Sequence, residues 1–138
     1  MSRKIMIILL LLFAITVSVS GCTTKEAPKG TFGEKTISLE NITIVDNVTA
    51  EHHEYNGTNY YYVKGYLKNN NRYDAFNLKM KATTFDAEGN VVAVNDTVYL
   101  NPKVIPAGGE AFFGFSFIDQ DNRIVRYELE LISADAGI

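Results

Sequence analysis

Cysteine, histidine and proline are scarce in this chain of 138 residues, and tryptophan is absent. It has one cysteine, two histidines and three prolines. A single cysteine excludes an intrachain disulfide, so a folded domain must be held together by core packing. No serine lies in a glycine-flanked nucleophile turn, and there is no glycine-rich phosphate loop. The sequence therefore predicts a protein that is not an enzyme and that uses no cofactor.

The N-terminus carries a basic pair followed by an apolar run. Arg3 and Lys4 precede residues 5–19, which contain no charge. This layout is typical of a secretory signal. At about 15 residues the run is shorter than the roughly 20 residues with which a helix spans a bilayer, which disfavours an uncleaved anchor.

The run ends in Val19-Ser20-Gly21-Cys22, which resembles the lipobox of bacterial and archaeal lipoproteins. The resemblance implies that the Cys22 sulfur accepts a lipid and that the chain is cleaved just before it. We therefore expect a signal peptide at 1–21, lipidated Cys22 with a flexible tether at 22–35, and a folded domain at 36–138, on the outer face of the cell membrane. An uncleaved anchor and an ordinary signal that releases a free protein are the alternatives.

Net charge limits the partners of the mature chain. Removal of Arg3 and Lys4 lowers the 13 basic side chains to 11, against 16 acidic ones. Such a surface does not attract nucleic acid. The predicted partners are the membrane, through the lipid anchor, and an extracellular protein or glycan.

Apolar and polar residues alternate through most of the mature chain, which indicates half-buried strands. In residues 60–68, for example, Val63, Gly65 and Leu67 form the predicted core face. The predicted fold is an all-β antiparallel sandwich of about six or seven strands, with an immunoglobulin-like or another sandwich topology. Turns are expected at 86–90 and 119–123, and strands at 37–44, 60–68, 76–82, 91–100, 110–118 and 125–131. In the third strand Phe76 and Leu78 are placed in the core, and in the last strand Val125 and Tyr127.

Three segments resemble the FxLYD-type domain family, whose members are small immunoglobulin-like modules of prokaryotic surface lipoproteins. The segments are 63–69, 85–92 and 105–110, and the resemblance extends over about 75 of the 138 residues. Phe85 and Asp86 take the Tyr and Asp places of the motif that names the family, while Ala82 and Thr84 stand in the Phe and Leu places. The resemblance implies a surface lipoprotein domain, and it supplies no catalytic residues.

Four Asn-x-Thr triplets are present, at Asn41, Asn47, Asn56 and Asn95. Exported archaeal and eukaryotic proteins are glycosylated at this triplet. We therefore predict N-glycosylation at these positions and, together with the lipobox, an archaeal source. The alternative is that Asn and Thr are simply common in exposed turns.

Acidic and histidine side chains cluster in three places. The segment Glu51-His52-His53-Glu54 resembles a metal site, but adjacent strand residues face opposite sides, and an exposed polar loop ending at Asn56-Gly57 is the favoured interpretation. Residues 86–88 and 119–122 lack the full set of oxygen ligands that a calcium loop supplies, and hairpin turns are predicted there. No metal site is therefore predicted.

A stripe of aromatic and basic residues marks a candidate interaction surface, composed of Tyr60, Tyr62, Lys64, Tyr66 and Lys68, with Lys79 and Lys81 expected beside it. Tyrosine is a frequent anchor at interfaces, although cross-strand Tyr and Lys pairs also stabilise exposed sheets. The predicted function is a non-catalytic, lipid-anchored cell-surface module that binds a protein or an envelope polymer. The alternative is an extracytoplasmic small-ligand or metal-binding lipoprotein, using His52 and His53 or a pocket lined by the strand 113–117.

Overall fold

The computed structural model of the chain describes residues 35–137. It confirms the predicted all-β antiparallel sandwich, with eight strands rather than six or seven. Among these residues, no helix has the length and apolar character needed to cross a membrane. A short 3-10 helix at Leu39–Asn41 precedes the strands, which are β1 Ile42–Ile44, β2 Thr49–Tyr55, β3 Thr58–Asn69, β4 Ala75–Phe85, β5 Val91–Asn95, β6 Tyr99–Asn101, β7 Glu110–Ile118 and β8 Arg126–Ala136.

The strands form two sheets, here called sheet A and sheet B. In sheet A, β3 pairs with β7, which pairs with β6, while β1 and β2 share the other side of β3. Sheet B has the order β5-β4-β8. Every pairing is antiparallel. Side chains of successive residues therefore alternate between the space inside the sandwich and its outer faces.

The core is built from the inward positions of both sheets, which are apolar at period two. The predicted core face of β3 is confirmed, because Val63 and Leu67 are buried and Gly65 lies between them. A Cβ on Gly65 would stand 2.9 Å from the ring of Phe113 on β7, so only glycine fits at this point. The buried apolar side chains are Ile42, Tyr61, Val63, Leu67, Ala75, Leu78, Met80, Ala82, Ile105, Ala111, Phe113, Phe115, Phe117 and Ile124.

One buried polar side chain, Asn69, organises the loop that carries the chain from β3 to β4. Its Nδ2 donates to the carbonyl oxygens of Tyr73 at 2.8 Å and Ile105 at 3.0 Å. Its Oδ1 accepts from the backbone N–H of Asn71 at 3.0 Å. These bonds pair the carbonyl of Tyr73 and the N–H of Asn71, and they add a second donor to the Ile105 carbonyl, which also accepts from the N–H of Ala75 at 2.9 Å.

The predicted strand at 91–100 is wrong, because this stretch forms two strands in different sheets. β5 pairs with β4 in sheet B, whereas β6 pairs with β7 in sheet A. The side chain of Asn95 accepts from the N–H of Thr97 at 2.8 Å and turns the chain between them. β5 is the apolar run Val-Val-Ala-Val followed by Asn, and β6 is only three residues long, so the pattern contains no sign of the change of sheet.

Residues 49–55 form β2, where a polar loop was predicted. All seven side chains of β2 are exposed, so its pattern lacks the buried positions that indicate a strand. Its partner β3 holds it in place, and the two are joined by the two-residue turn Asn56-Gly57, with φ of 50° and 76°. Positive φ at both central residues is typical of a type I′ hairpin. The first predicted strand, 37–44, is also shorter, since only Ile42–Ile44 is extended.

Two core positions differ from prediction by one residue. In β4, Asn77 has a φ of 50° and the pairing with β8 is irregular around it, so that Ala75 is fully buried and Phe76 is not. Before β8, Ile124 is buried whereas Val125 is exposed. In each case a local irregularity of the backbone changes which residue faces the core.

The two predicted turns have different outcomes. The turn at 86–90 is confirmed as the hairpin between β4 and β5, with Gly89 at a φ of 86° and Asp86 Oδ1 accepting from the N–H of Asn90 at 2.8 Å. The turn at 119–123 is not a hairpin, because it leads from β7 in sheet A to β8 in sheet B. β4 and β5 are therefore hydrogen-bonded partners, whereas β7 and β8 lie in different sheets.

Candidate functional site

The predicted stripe lies on the outer face of sheet A. Tyr60, Tyr62, Lys64, Tyr66 and Lys68 all face away from the core, because Tyr61, Val63 and Leu67 between them are buried. Residues of β7 lie directly opposite, with Phe112 across from Tyr66 and Gly114 across from Lys64. The stripe is therefore part of a wider surface to which neighbouring strands contribute.

Aromatic rings from four strands meet on this surface. Phe112 of β7 lies between Tyr66 of β3 and Tyr99 of β6, with ring centroids 5.7 and 6.2 Å apart and edge-on geometry. Farther along β3, Tyr62 lies 5.8 Å from Tyr60 and 6.4 Å from His53 of β2. We name this surface the aromatic face, defined by His53, Tyr60, Tyr62, Tyr66, Tyr99 and Phe112.

A depression of about 210 Å³ interrupts the aromatic face at Gly114. The missing side chain of Gly114 leaves the backbone of β7 open to solvent between the rings of Tyr62, Tyr99 and Phe112. A Cβ built on Gly114 would meet Phe112 at 3.5 Å, which is ordinary contact. We name this depression the Gly114 notch; its lining residues are Tyr62, Lys64, Tyr99, Phe112, Gly114, Phe115 and Ser116.

The charge at the notch is neutralised on the surface itself. Lys64 Nζ lies 2.7 Å from Glu51 Oε1 of β2 and 5.4 Å from the ring centre of Tyr62. The hydrogen bond from Lys64, together with its positive charge, lowers the pKa of the Glu51 carboxyl below its ordinary value. The aromatic face therefore presents rings and hydroxyl groups around an ion pair of zero net charge.

The outer face of sheet B has a different chemistry. Lys81 pairs with Glu130, Arg126 pairs with Glu128, and the Arg126 guanidinium lies 3.9 Å from the ring centre of Phe85. The prediction that Lys79 and Lys81 lie beside the tyrosine stripe is wrong, since both belong to β4 in sheet B. The two outer surfaces of the sandwich thus differ, one aromatic and one ion-paired.

His52 and His53 point to opposite sides of sheet A, as expected for neighbours on a strand. His52 Nε2 lies 2.9 Å from Asp119 Oδ2, and Asp119 also accepts from the N–H groups of Arg123 and Ile124, each at 2.9 Å. Burial acts to raise the pKa of Asp119, but these hydrogen bonds outweigh it and hold the pKa below its ordinary value. Across the described part of the chain, no three metal-ligating side chains come together.

The strand 113–117 does not line an apolar ligand pocket with its phenylalanines. Phe113, Phe115 and Phe117 are 0%, 2% and 4% exposed and fill the space between the two sheets. Because these rings complete the core, the depression along this strand lies on its outer side, where Gly114, Phe115 and Ser116 line the Gly114 notch. Asp119 likewise directs its oxygens to backbone N–H groups, which stabilises the connection between the sheets.

The four Asn-x-Thr triplets have unequal environments. Asn41, Asn47 and Asn56 are exposed, near the start of β1, before β2 and in the β2–β3 turn. Asn95 is half-buried, and its Nδ2 donates to the carbonyl of Ser116 at 3.1 Å. Cys22, the signal peptide and most of the tether lie outside the described residues.

No family model and no curated protein matches this chain. One solved structure that is similar to it is the crystal structure of a DUF1425 family member from Shewanella sp. pv-4. It has a TM-score of 0.40 and 18% sequence identity, over 74% of this chain and 97% of that chain. The function of the domain must therefore be inferred from its own residues.

Sequence reasoning missed four members of the site, namely His53, Tyr99, Phe112 and Gly114. Phe112 and Gly114 occupy outward positions of a strand whose inward positions are all apolar, and an aromatic residue followed two positions later by glycine was the available signal. A single strand at 91–100 does not place Tyr99 in sheet A. A polar loop at 51–54 likewise does not place His53 on the outer face of that sheet.

Proposed function

We propose that this protein is a non-catalytic, lipid-anchored cell-surface module that binds an extracellular protein or envelope polymer through the aromatic face. The observation that carries the proposal is the aromatic face itself. Six aromatic side chains share one solvent-facing surface, and Tyr66 and Tyr99 are 52% and 62% exposed. Contiguous exposed apolar surface of this kind marks interaction sites.

The contrast between the two outer faces supports this proposal. An antiparallel sheet needs only polar or charged residues on its solvent side. Sheet B carries ion pairs there, beside the aliphatic side chains of Val91, Val94 and Ile132. Sheet A instead exposes rings that core packing does not require. A tyrosine ring loses little rotamer entropy when it is covered, and its hydroxyl can orient a partner, so such a face is suited to binding.

The anchor part of the proposal rests on Val19-Ser20-Gly21-Cys22 and on the resemblance to the FxLYD-type family. Lys35, the first described residue, lies near the loop that follows β3, since its ammonium is 5.5 Å from the ring centre of Tyr73. The β2–β3 hairpin precedes β3, so it lies at the opposite end of that strand from Lys35. Glycosylation at the exposed triplets and an archaeal source belong to the same proposal.

The anchor is tested by the intact mass of protein extracted from native membranes. We expect the mass of the chain from Cys22 onward plus a lipid, with sugar increments. Cys22→Ser removes the sulfur that is alkylated, so this variant should lose the lipid and leave the membrane fraction or accumulate as precursor. A wild-type mass equal to the chain from Met1 would contradict the anchor and favour an uncleaved N-terminal segment.

The aromatic face is tested by photo-crosslinking on intact cells. A photoreactive phenylalanine analogue at Tyr66 should crosslink to an envelope component, because this position lies within the face. The matched control places the same analogue at Val94 on the outer side of sheet B, where the residue is 57% exposed. Equal crosslinking from both positions, or none from Tyr66, would rule out the aromatic face as the binding surface.

A further inference from the structure

The Gly114 notch is a small, open depression bordered by aromatic rings. Its floor is bare backbone, and the rings of Tyr62, Tyr99 and Phe112 border it. Its volume of about 210 Å³ is smaller than the roughly 300–1,000 Å³ of pockets that enclose a small molecule. A ligand there is therefore held on one side only, as one unit of a longer molecule that lies across the face.

The polar groups of the notch determine which ring fits. Ser116 borders it, and Lys64 contributes its aliphatic stem, with Cγ 3.9 Å from a Cβ built on Gly114, while the Lys64 ammonium is bonded to Glu51 of β2 on the other side of β3. The Ser116 hydroxyl needs a hydrogen-bond partner, which water supplies in the free protein. An aliphatic protein side chain inserted there would remove that water and replace none of its hydrogen bonds, at a cost in free energy.

A sugar ring meets both requirements. Its faces carry C–H groups that pack on aromatic rings, and its edge carries hydroxyls that donate to and accept from Ser116 and the tyrosine hydroxyls. Lys64 is the only charged residue among those lining the notch, and Glu51 already balances its charge. An anionic polymer would gain little attraction from such a neutral pair.

We propose that the Gly114 notch binds one ring of a neutral glycan, with its C–H face against Tyr99 or Tyr62 and a hydroxyl on Ser116. This inference rests on the proposed function of the aromatic face and specifies its partner as an uncharged polysaccharide or glycan chain. Tyr66 and Tyr60, on either side of the notch along β3, would contact neighbouring sugar units.

The test uses the full protein in detergent micelles and immobilised polysaccharides as probes. Mannan, amylose and chitin represent neutral polymers, and alginate and heparin represent anionic ones. Gly114→Val fills the notch; its Cβ makes only ordinary contact, and the melting curve of the variant tests whether the fold accepts the two Cγ methyl groups. Tyr99→Ala removes one wall. The control is Tyr55→Ala, since Tyr55 is 61% exposed in the β2–β3 hairpin and does not line the notch.

We expect at least one neutral polymer to bind wild-type protein with little dependence on salt. Gly114→Val and Tyr99→Ala should each weaken that binding by about tenfold or more, as expected for loss of an aromatic contact at the centre of a small site. Tyr55→Ala should bind as wild type does. Melting curves of all variants should show that they are folded.

Three results would overturn the proposal: no binding to any of the three neutral polymers, binding that Gly114→Val leaves unchanged, or salt-sensitive capture of alginate and heparin alone. If neutral polymers fail while position 66 crosslinks to a surface protein on cells, the glycan inference is wrong and the binding role of the aromatic face stands. If both experiments fail, the proposed function is wrong as well.

Discussion

Gly65 and Phe113 lie directly opposite each other on β3 and β7, and the Phe113 ring occupies the space that a side chain at position 65 would need. The next pair in register reverses the arrangement, because Lys64 lies opposite Gly114. One glycine thus makes room for the core on the inner side of sheet A. The other leaves an opening on the outer side.

These two glycines give a matched stability test. Gly65→Ala places a Cβ 2.9 Å from Phe113 and 3.2 Å from Val48, and overpacking of this kind should lower the free energy of unfolding by about 1–3 kcal/mol. Gly114→Ala meets nothing closer than 3.5 Å, and it should be neutral or stabilising by up to about 1 kcal/mol. Urea unfolding measures both, and equal losses would contradict the assigned packing.

Asn69 should be sensitive to the loss of its amide group. Asn69→Leu leaves the Tyr73 carbonyl without the Asn69 donor and the Asn71 N–H without the Asn69 acceptor, while the Ile105 carbonyl keeps its bond from the N–H of Ala75, and should cost about 2–4 kcal/mol of stability. Asn69→Asp should be at least as harmful, because a carboxylate cannot donate and would face carbonyl oxygens. Asn70 is exposed and its alanine variant serves as the control. Similar melting temperatures for all three variants would argue against this role.

Asp119 should make stability depend on acid pH. Its pKa in the folded state is lowered, so ionised Asp119 contributes stability that is fully present above the unfolded value of about 4 and is lost as pH falls through the folded value. Asp119→Asn should therefore be less stable than wild type near neutrality, by about 1–3 kcal/mol, and the difference should shrink below about pH 4. Denaturant unfolding at several pH values measures it, with exposed Asp121→Asn as the control. A difference that stays constant with pH would contradict the assignment.

Glycan occupancy should differ among the four triplets. Asn41, Asn47 and Asn56 are exposed, whereas Asn95 is half-buried with its Nδ2 bonded to Ser116 and its Oδ1 bonded to Thr97. Sugar attached to that nitrogen would have to displace the contact with β7. Mass spectrometry of glycopeptides from the native protein should find sugar at exposed triplets and an unmodified Asn95. Full occupancy of Asn95 would contradict this prediction and would show that sugar is attached before the turn forms.

Much of the fold could be predicted from the sequence, because in a strand with one buried face the alternation of apolar and polar residues shows which side chains face the core. The alternation in β3 and β7 correctly predicted which residues face the core, and Asp86 with Gly89 marked the β4–β5 turn. The outward direction of Tyr60, Tyr62 and Tyr66 followed from the same period of two. These properties depend on neighbours along the chain, which the sequence displays directly.

The remaining features depend on residues distant in the sequence. Nothing in 91–100 shows that the chain changes sheets after Asn95, and an exposed strand such as β2 has no buried side chains to reveal it. The Gly114 notch exists only because β3, β6 and β7 are aligned in one register, which brings Tyr62, Tyr99 and Phe112 around a glycine. The sequence by itself determined an all-β domain and a tyrosine-rich strand, and it predicts an export signal at the N-terminus. The tertiary structure decided which surface those tyrosines share, because strand pairing joins residues that no local pattern connects.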